Sequence, residues 1–83
     1  LAETPRERAV EVARDGAIRL DGTPLSLTDL EARLRDLRAR EPRAAVIVRG
    51  DGQGTYQPVA EVMNVCRRAG IANLAMAVRT RPD

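Results

Sequence analysis

The stretch AAVIVRGDGQGTYQPVAEVMNVCRRAGI, residues 44–71, decides how the chain folds. Ala44 to Val48 is an apolar run of strand length, and Gly50-Asp51-Gly52-Gln53-Gly54 follows it. From Thr55 or Tyr56 to Ala69 the period changes to that of a helix: Tyr56, Val59, Val62, Met63, Cys66 and Ala69 share one face. Pro58 fits only the first turn of such a helix, where its missing N–H has no intrahelical partner to lose. Gly70 is the expected left-handed residue beyond the helix end, with Ile71 packing back. Leu74 to Val78 then forms a last strand.

Strand, glycine-rich loop and helix is also the layout of nucleotide-phosphate sites, so GDGQG must be tested against them. A dinucleotide fingerprint needs a third glycine three residues after the second. Counted from Gly50 that position is Thr55, and counted from Gly52 it is Gln57. A phosphate loop of the Walker type needs a lysine, and the chain has none. No acidic residue ends a second strand about 20 residues on, where a ribose would be read. The loop therefore serves to turn the chain from strand to helix, with Asp51 hydrogen-bonding locally.

Upstream, Val10 and Val12 alternate with Glu11, and Ile18 and Leu20 flank Arg19. Asp15-Gly16 between these runs predicts a hairpin with a type I′ turn, both central residues at positive φ. Asp21-Gly22 is a second turn, after which Thr23 to Leu25 continue briefly as an edge. Ser26 starts a helix, with Ser26-x-x-Asp29 as a capping box. Leu27, Leu30, Leu34 and Leu37 form its apolar stripe, and Pro42 bounds its far end. Asp29–Arg33, Glu31–Arg35 and Asp36–Arg40 are spaced as i,i+4 ion pairs with the acid first. The arginines of this helix read as a solvated, self-paired face rather than a nucleic-acid stripe, since no stacking aromatics accompany them.

The predicted fold is α+β: one small domain in the order ββαβαβ, a mixed sheet with an antiparallel hairpin, and two helices packed on one face. Strand–helix–strand units predict right-handed crossovers. One sheet face collects Val10, Val12, Ile18, Leu20, Val46, Val48, Leu74, Met76 and Val78. The other, with Glu11, Arg19, Ala45, Ile47, Ala75, Ala77 and Arg79, is weakly apolar and left for solvent or association. Residues 1–8, with Pro5, read as the end of a linker, 9–79 as the domain and 80–83 as a tail.

Composition narrows the chemistry. In 83 residues there is one aromatic, Tyr56, one cysteine, Cys66, and no histidine, while all fourteen cations are arginine; the net charge is +2. Without histidine or lysine there is no imidazole base, no His-dependent triad and no Schiff-base nucleophile. One cysteine forms neither an internal disulfide nor a metal cluster. The reading is non-enzymatic, with no catalytic residue, no cofactor and no metal site. Cys66 reads as a core thiol of the second helix, although Arg67 and Arg68 beside it leave a reactive thiol open. Tyr56 reads as a core anchor with its hydroxyl reaching out, and Arg49–Asp51 as a pair holding the loop. No apolar run is long enough to span a membrane, and the chain reads as a domain cut from something longer.

At this point the chain resembles the periplasmic domain of the ExbD/TolR family of biopolymer transport proteins, over about Ala9 to Val78. The first half matches in VEVARDGAIRLDGTPLSLTDLEARL: strand, D-G turn, strand, second turn, Leu-rich helix. The second half matches a strand ending in R-x-D, a short loop, Y-x-x-V-x-x-V-M, a helix closing at A-G-I and a final apolar strand. Arg49, Asp51, Tyr56, Val59, Met63, Ala69, Gly70 and Ile71 stand at those positions. The departure is the glycine-rich GDGQG, where members often carry a longer side chain before the tyrosine.

The resemblance implies a single-pass inner-membrane protein whose transmembrane helix, with its proton-carrying Asp, lies outside this sequence. It also implies a periplasmic location and a homodimer within an ExbB/TolQ-type channel. Proton-motive force would then energise a TonB- or TolA-like partner. Candidate partner-binding or motif residues are Arg49, Asp51, Tyr56, Met63, Gly70, Leu74, Met76 and Val78, with the last strand and the semi-apolar face receiving partner segments. Arg49-x-Asp51 and Val62-Met63 lean towards ExbD. The alternative is a TolR-like domain that binds peptidoglycan, and a weaker one is an Arg-rich nucleic-acid or anion-binding module, although no nucleic acid is expected as partner.

Overall fold

The computed structural model describes residues 7–51 and 56–79. Among them the chain runs β1 (Glu7–Val12), β2 (Ile18–Leu20), β3 (Thr23–Pro24), α1 (Leu27–Arg40), β4 (Ala45–Asp51), α2 (Tyr56–Arg68) and β5 (Asn73–Arg79). The strands form one mixed sheet in the order β3-β2-β1-β4-β5. β1 pairs antiparallel with β2 and parallel with β4, and β4 pairs parallel with β5. This is the expected α+β architecture, with the brief edge after Asp21-Gly22 formed as β3.

The core lies between the sheet and the helices. Val10, Val12, Ile18, Val46 and Val48 from the sheet meet Leu30, Leu34 and Leu37 of α1 and Val59, Val62, Val65 and Cys66 of α2. These are the alternate positions of the strands and the i, i+3, i+4 positions of the helices, so each element buries one side. Val65 was absent from the expected face of α2. It is buried because that helix also packs against α1, which widens its apolar arc.

The two Asp-Gly turns divide their roles differently from the expectation. At Asp21-Gly22 both residues have positive φ (49° and 88°), the signature of a type I′ turn, and they join Leu20 to Thr23 directly. At Asp15-Gly16 only the glycine is left-handed, with φ 90°. There the Gly16 N–H donates to the Ala13 carbonyl and the Ala17 N–H to Asp15 Oδ1, so the hairpin takes a longer loop closed by its glycine. The reason is spacing: five residues separate Val12 from Ile18, too many for a two-residue turn.

Two strands run longer than the apolar pattern suggests. β1 begins at Glu7, in register with Ala45. Arg8 joins it because its guanidinium reaches Asp21 Oδ2 at 3.0 Å, while Asp21 Oδ1 accepts the Ala9 N–H. β4 continues through Gly50 and Asp51, opposite Val78 and Arg79. The first two residues of GDGQG are thus strand; Gly52, Gln53, Gly54 and Thr55 lie outside the described residues.

Helix ends follow their signals. Ser26 caps α1, its hydroxyl accepting the Asp29 N–H at 3.1 Å. Of the three expected pairs on α1, Glu31–Arg35 and Asp36–Arg40 form at 2.7 and 2.8 Å; nothing in the structure explains why Asp29–Arg33 does not. α2 closes in a Schellman arrangement, with the Ile71 N–H donating to the Cys66 carbonyl and the Gly70 N–H to that of Arg67. No helix among the described residues is long and apolar enough to cross a membrane.

Candidate partner-binding edge

The two edges of the sheet are built differently. β3 has two residues, and one of them, Pro24, has no N–H to offer. A short, proline-bearing edge is a common defence against unwanted strand pairing. β5 has seven residues and no proline, and its only charged residue is the last, Arg79. Among the described residues no strand pairs with its outer side. Its sequence alternates Leu74, Met76 and Val78 towards the helix side with Asn73, Ala75 and Ala77 on the other.

Met76 and Val78 correct the expected core. They lie on the helix-side face, in register with Val48 and Gly50, yet are 56% and 46% exposed. The cause is coverage: α2 packs over β4 and against α1, and β5 lies beyond it as a shelf. Leu74, nearer the helix end, is half-buried against the core.

Tyr56 is a second correction. It is 86% exposed and anchors nothing in the core. As the first residue of α2 it precedes the turn at which the helix settles on the sheet, where burial begins with Val59. Met63, two turns on, is half-buried against the core edge. Tyr56, Met76 and Val78 are the exposed large apolar residues of the described chain.

Arg49 and Asp51 stand on the opposite face. The register sets Glu11 between Arg19 and Arg49 in adjacent strands. Asp51 makes an ion pair with Arg14 of the β1–β2 loop at 3.8 Å, which corrects the expected Arg49–Asp51 pair. Residues i and i+2 of a strand lie about 7 Å apart along it, whereas the loop carrying Arg14 folds back over the end of β4. With Glu11, Arg19 and Ala77, Arg49 and Asp51 line an open cleft that carries both signs of charge. Arg14 carried no signal in the sequence, because its place depends on how the hairpin loop curls.

Gly70 stands apart from both groups, at the far end of α2. Cys66 is fully buried, and burial pushes its thiol up to about 11. That favours the core reading over a reactive thiol. No group of three or more His, Cys, Asp or Glu side chains placed to hold a metal occurs among the described residues.

Among the described residues the arrangement offers two surfaces: an edge without a paired strand, flanked by apolar side chains, and a charged cleft on the face away from the helices. The family model described as biopolymer transport protein ExbD/TolR matches residues 2–81. Comparison with curated proteins gives no significant match.

Proposed function

The chain belongs to the ExbD/TolR family of biopolymer transport proteins, and from that premise we propose that it is the non-catalytic periplasmic domain of an ExbD-type energy transducer. It serves a motor of the inner membrane driven by proton-motive force, whose transmembrane helix carries the proton. The domain receives an extended segment of a TonB-like partner by strand addition and also associates with its own copy. The observation that carries this reading is the open edge of β5, seven residues long and undefended. Main-chain pairing along such an edge supplies affinity, and alternate side chains supply selectivity.

The test is a titration of isotope-labelled protein with a peptide from a TonB-type periplasmic region. Amide shifts along Asn73–Arg79 are expected. Their absence in the folded protein would count against strand addition. Sedimentation over a concentration series reads self-association separately.

A second reading, a TolR-like domain that binds peptidoglycan, is favoured by the cleft of Glu11, Arg19, Arg49 and Asp51, since alternating charges suit a polar polymer. Retention on purified sacculi, reduced by Arg49→Ala and unaffected by Met76→Glu, would support it over the β5 reading.

A further inference from the structure

β5 and the outer flank of α2 together form a selective groove. Val65 and Arg68 of α2 turn towards α1, where Arg68 Nη2 donates to Glu31 Oε1 at 3.0 Å. At 100° per residue, Tyr56, Met63 and Arg67 fall on one stripe, rotated about 100–140° from Arg68. That stripe therefore faces away from α1, on the side of the helix where β5 lies uncovered. Below it run Leu74, Met76 and Val78. The wall and the floor thus hold every exposed large apolar side chain of the described residues.

The charge on this groove has one sign. The stripe carries Arg67 in its last turn and no carboxylate, and Glu61 lies on another side of the helix. Neither is there an acid in β5. The opposite face of β5, with Ala75 and Ala77, is small-sided and tolerant. An incoming strand would meet apolar surface with every second side chain and methyl-sized neighbours with the others.

We propose that the groove between α2 and β5 selects an extended segment of another protein with apolar side chains at alternate positions and an acidic residue at the Arg67 end. This inference rests on the strand-addition reading above and adds the side-chain chemistry of the partner. Arg67 supplies the polar discrimination, since its Nη1 makes only a long contact to Asn64 Oδ1, at 3.5 Å, within the described residues.

Capped octapeptides with valine at alternate positions, threonine between and one glutamate at either end test it against the whole chain. Two controls keep the length: one groups the same residues so that the valines are consecutive, and one replaces glutamate with lysine. The alternating acidic peptide should bind about tenfold or more tightly than either control, shifting the β5 amides and the methyl signals of Met63 and Met76. Met76→Glu and Arg67→Glu should each remove that preference; both residues are exposed or surface-lying, and an unchanged amide spectrum elsewhere verifies the fold.

Equal shifts of β5 by all the peptides would overturn the proposed selectivity while leaving strand addition in place. No β5 shift with any peptide would remove both. If protein dilution, rather than peptide, changes the β5 signals, and Met76→Glu abolishes that, a second copy is the occupant and the proposal falls.

Discussion

The Nε of Arg38 in α1 donates to the carbonyl of Gly70 at 3.1 Å, and the same side chain fills the space where a Cβ on Gly70 would stand. A methyl group there would meet Arg38 Cδ and Nε at 2.8 Å, and Gly70 has φ 86°. The residue that ends α2 is thus also where α1 is fastened to it.

Gly70→Ala should therefore destabilise the domain by about 1–3 kcal/mol, from positive-φ strain and displacement of Arg38. In a chain of this size that lowers the melting temperature by roughly 4–8 °C per kcal/mol. In an Arg38→Ala background the cost should shrink towards the backbone part alone, as a double-mutant cycle would read. An unchanged cost would show that Arg38 yields freely.

Glu31 accepts from both Arg68 and Arg35, and these contacts, that with Arg68 foremost, lower its pKa from 4.5. A depressed carboxylate pKa contributes stability above the unfolded value, and that contribution is lost as pH falls through the folded one. The stability difference between the wild type and Glu31→Gln should thus be level above pH 4.5 and shrink below it. Denaturation midpoints at pH 7, 5, 4 and about 3 measure it, and a difference independent of pH would remove Glu31 as the link between the helices.

Cys66 should resist an aromatic disulfide reagent at pH 8 in the native state and react only as fast as the domain opens. Denaturant should accelerate labelling in step with unfolding. Rapid labelling of folded protein would contradict the burial seen here. Cys66→Ser, which places a hydroxyl where the thiol packs, should cost about 1–3 kcal/mol.

Tyr56→Ala and Met76→Ala should each change stability by no more than about 0.5 kcal/mol, as exposed positions do. Leu34→Ala, at 0% exposure, should cost about 2–5 kcal/mol. A large loss at Tyr56 would restore it to the core.

Much of this molecule was legible in its sequence. The Leu27 to Leu37 stripe, the Ser26 cap, the Gly70 stop and the alternations around Val10, Ile18 and Val46 are local signals, set by helix and strand periods and by which residues tolerate positive φ. The family resemblance rested on the same stretches. The candidate site was legible only as a set of residues. Arg49 and Asp51 were correctly given to a strand end, but Arg14, which pairs with Asp51, comes from a hairpin loop whose curl no spacing announces.

Residue types and periods by themselves determined the elements, their order and the absence of histidine and lysine chemistry. Tertiary structure alone decided which apolar residues go unburied. Two helices cover a five-stranded sheet incompletely, so identical alternation buries Val46 and Val48 in β4 and leaves Met76 and Val78 in β5 open. An apolar side chain in the sequence carries only its preference for burial; whether another element lies above it depends on strand order and helix placement, and among the described residues none covers Met76 and Val78.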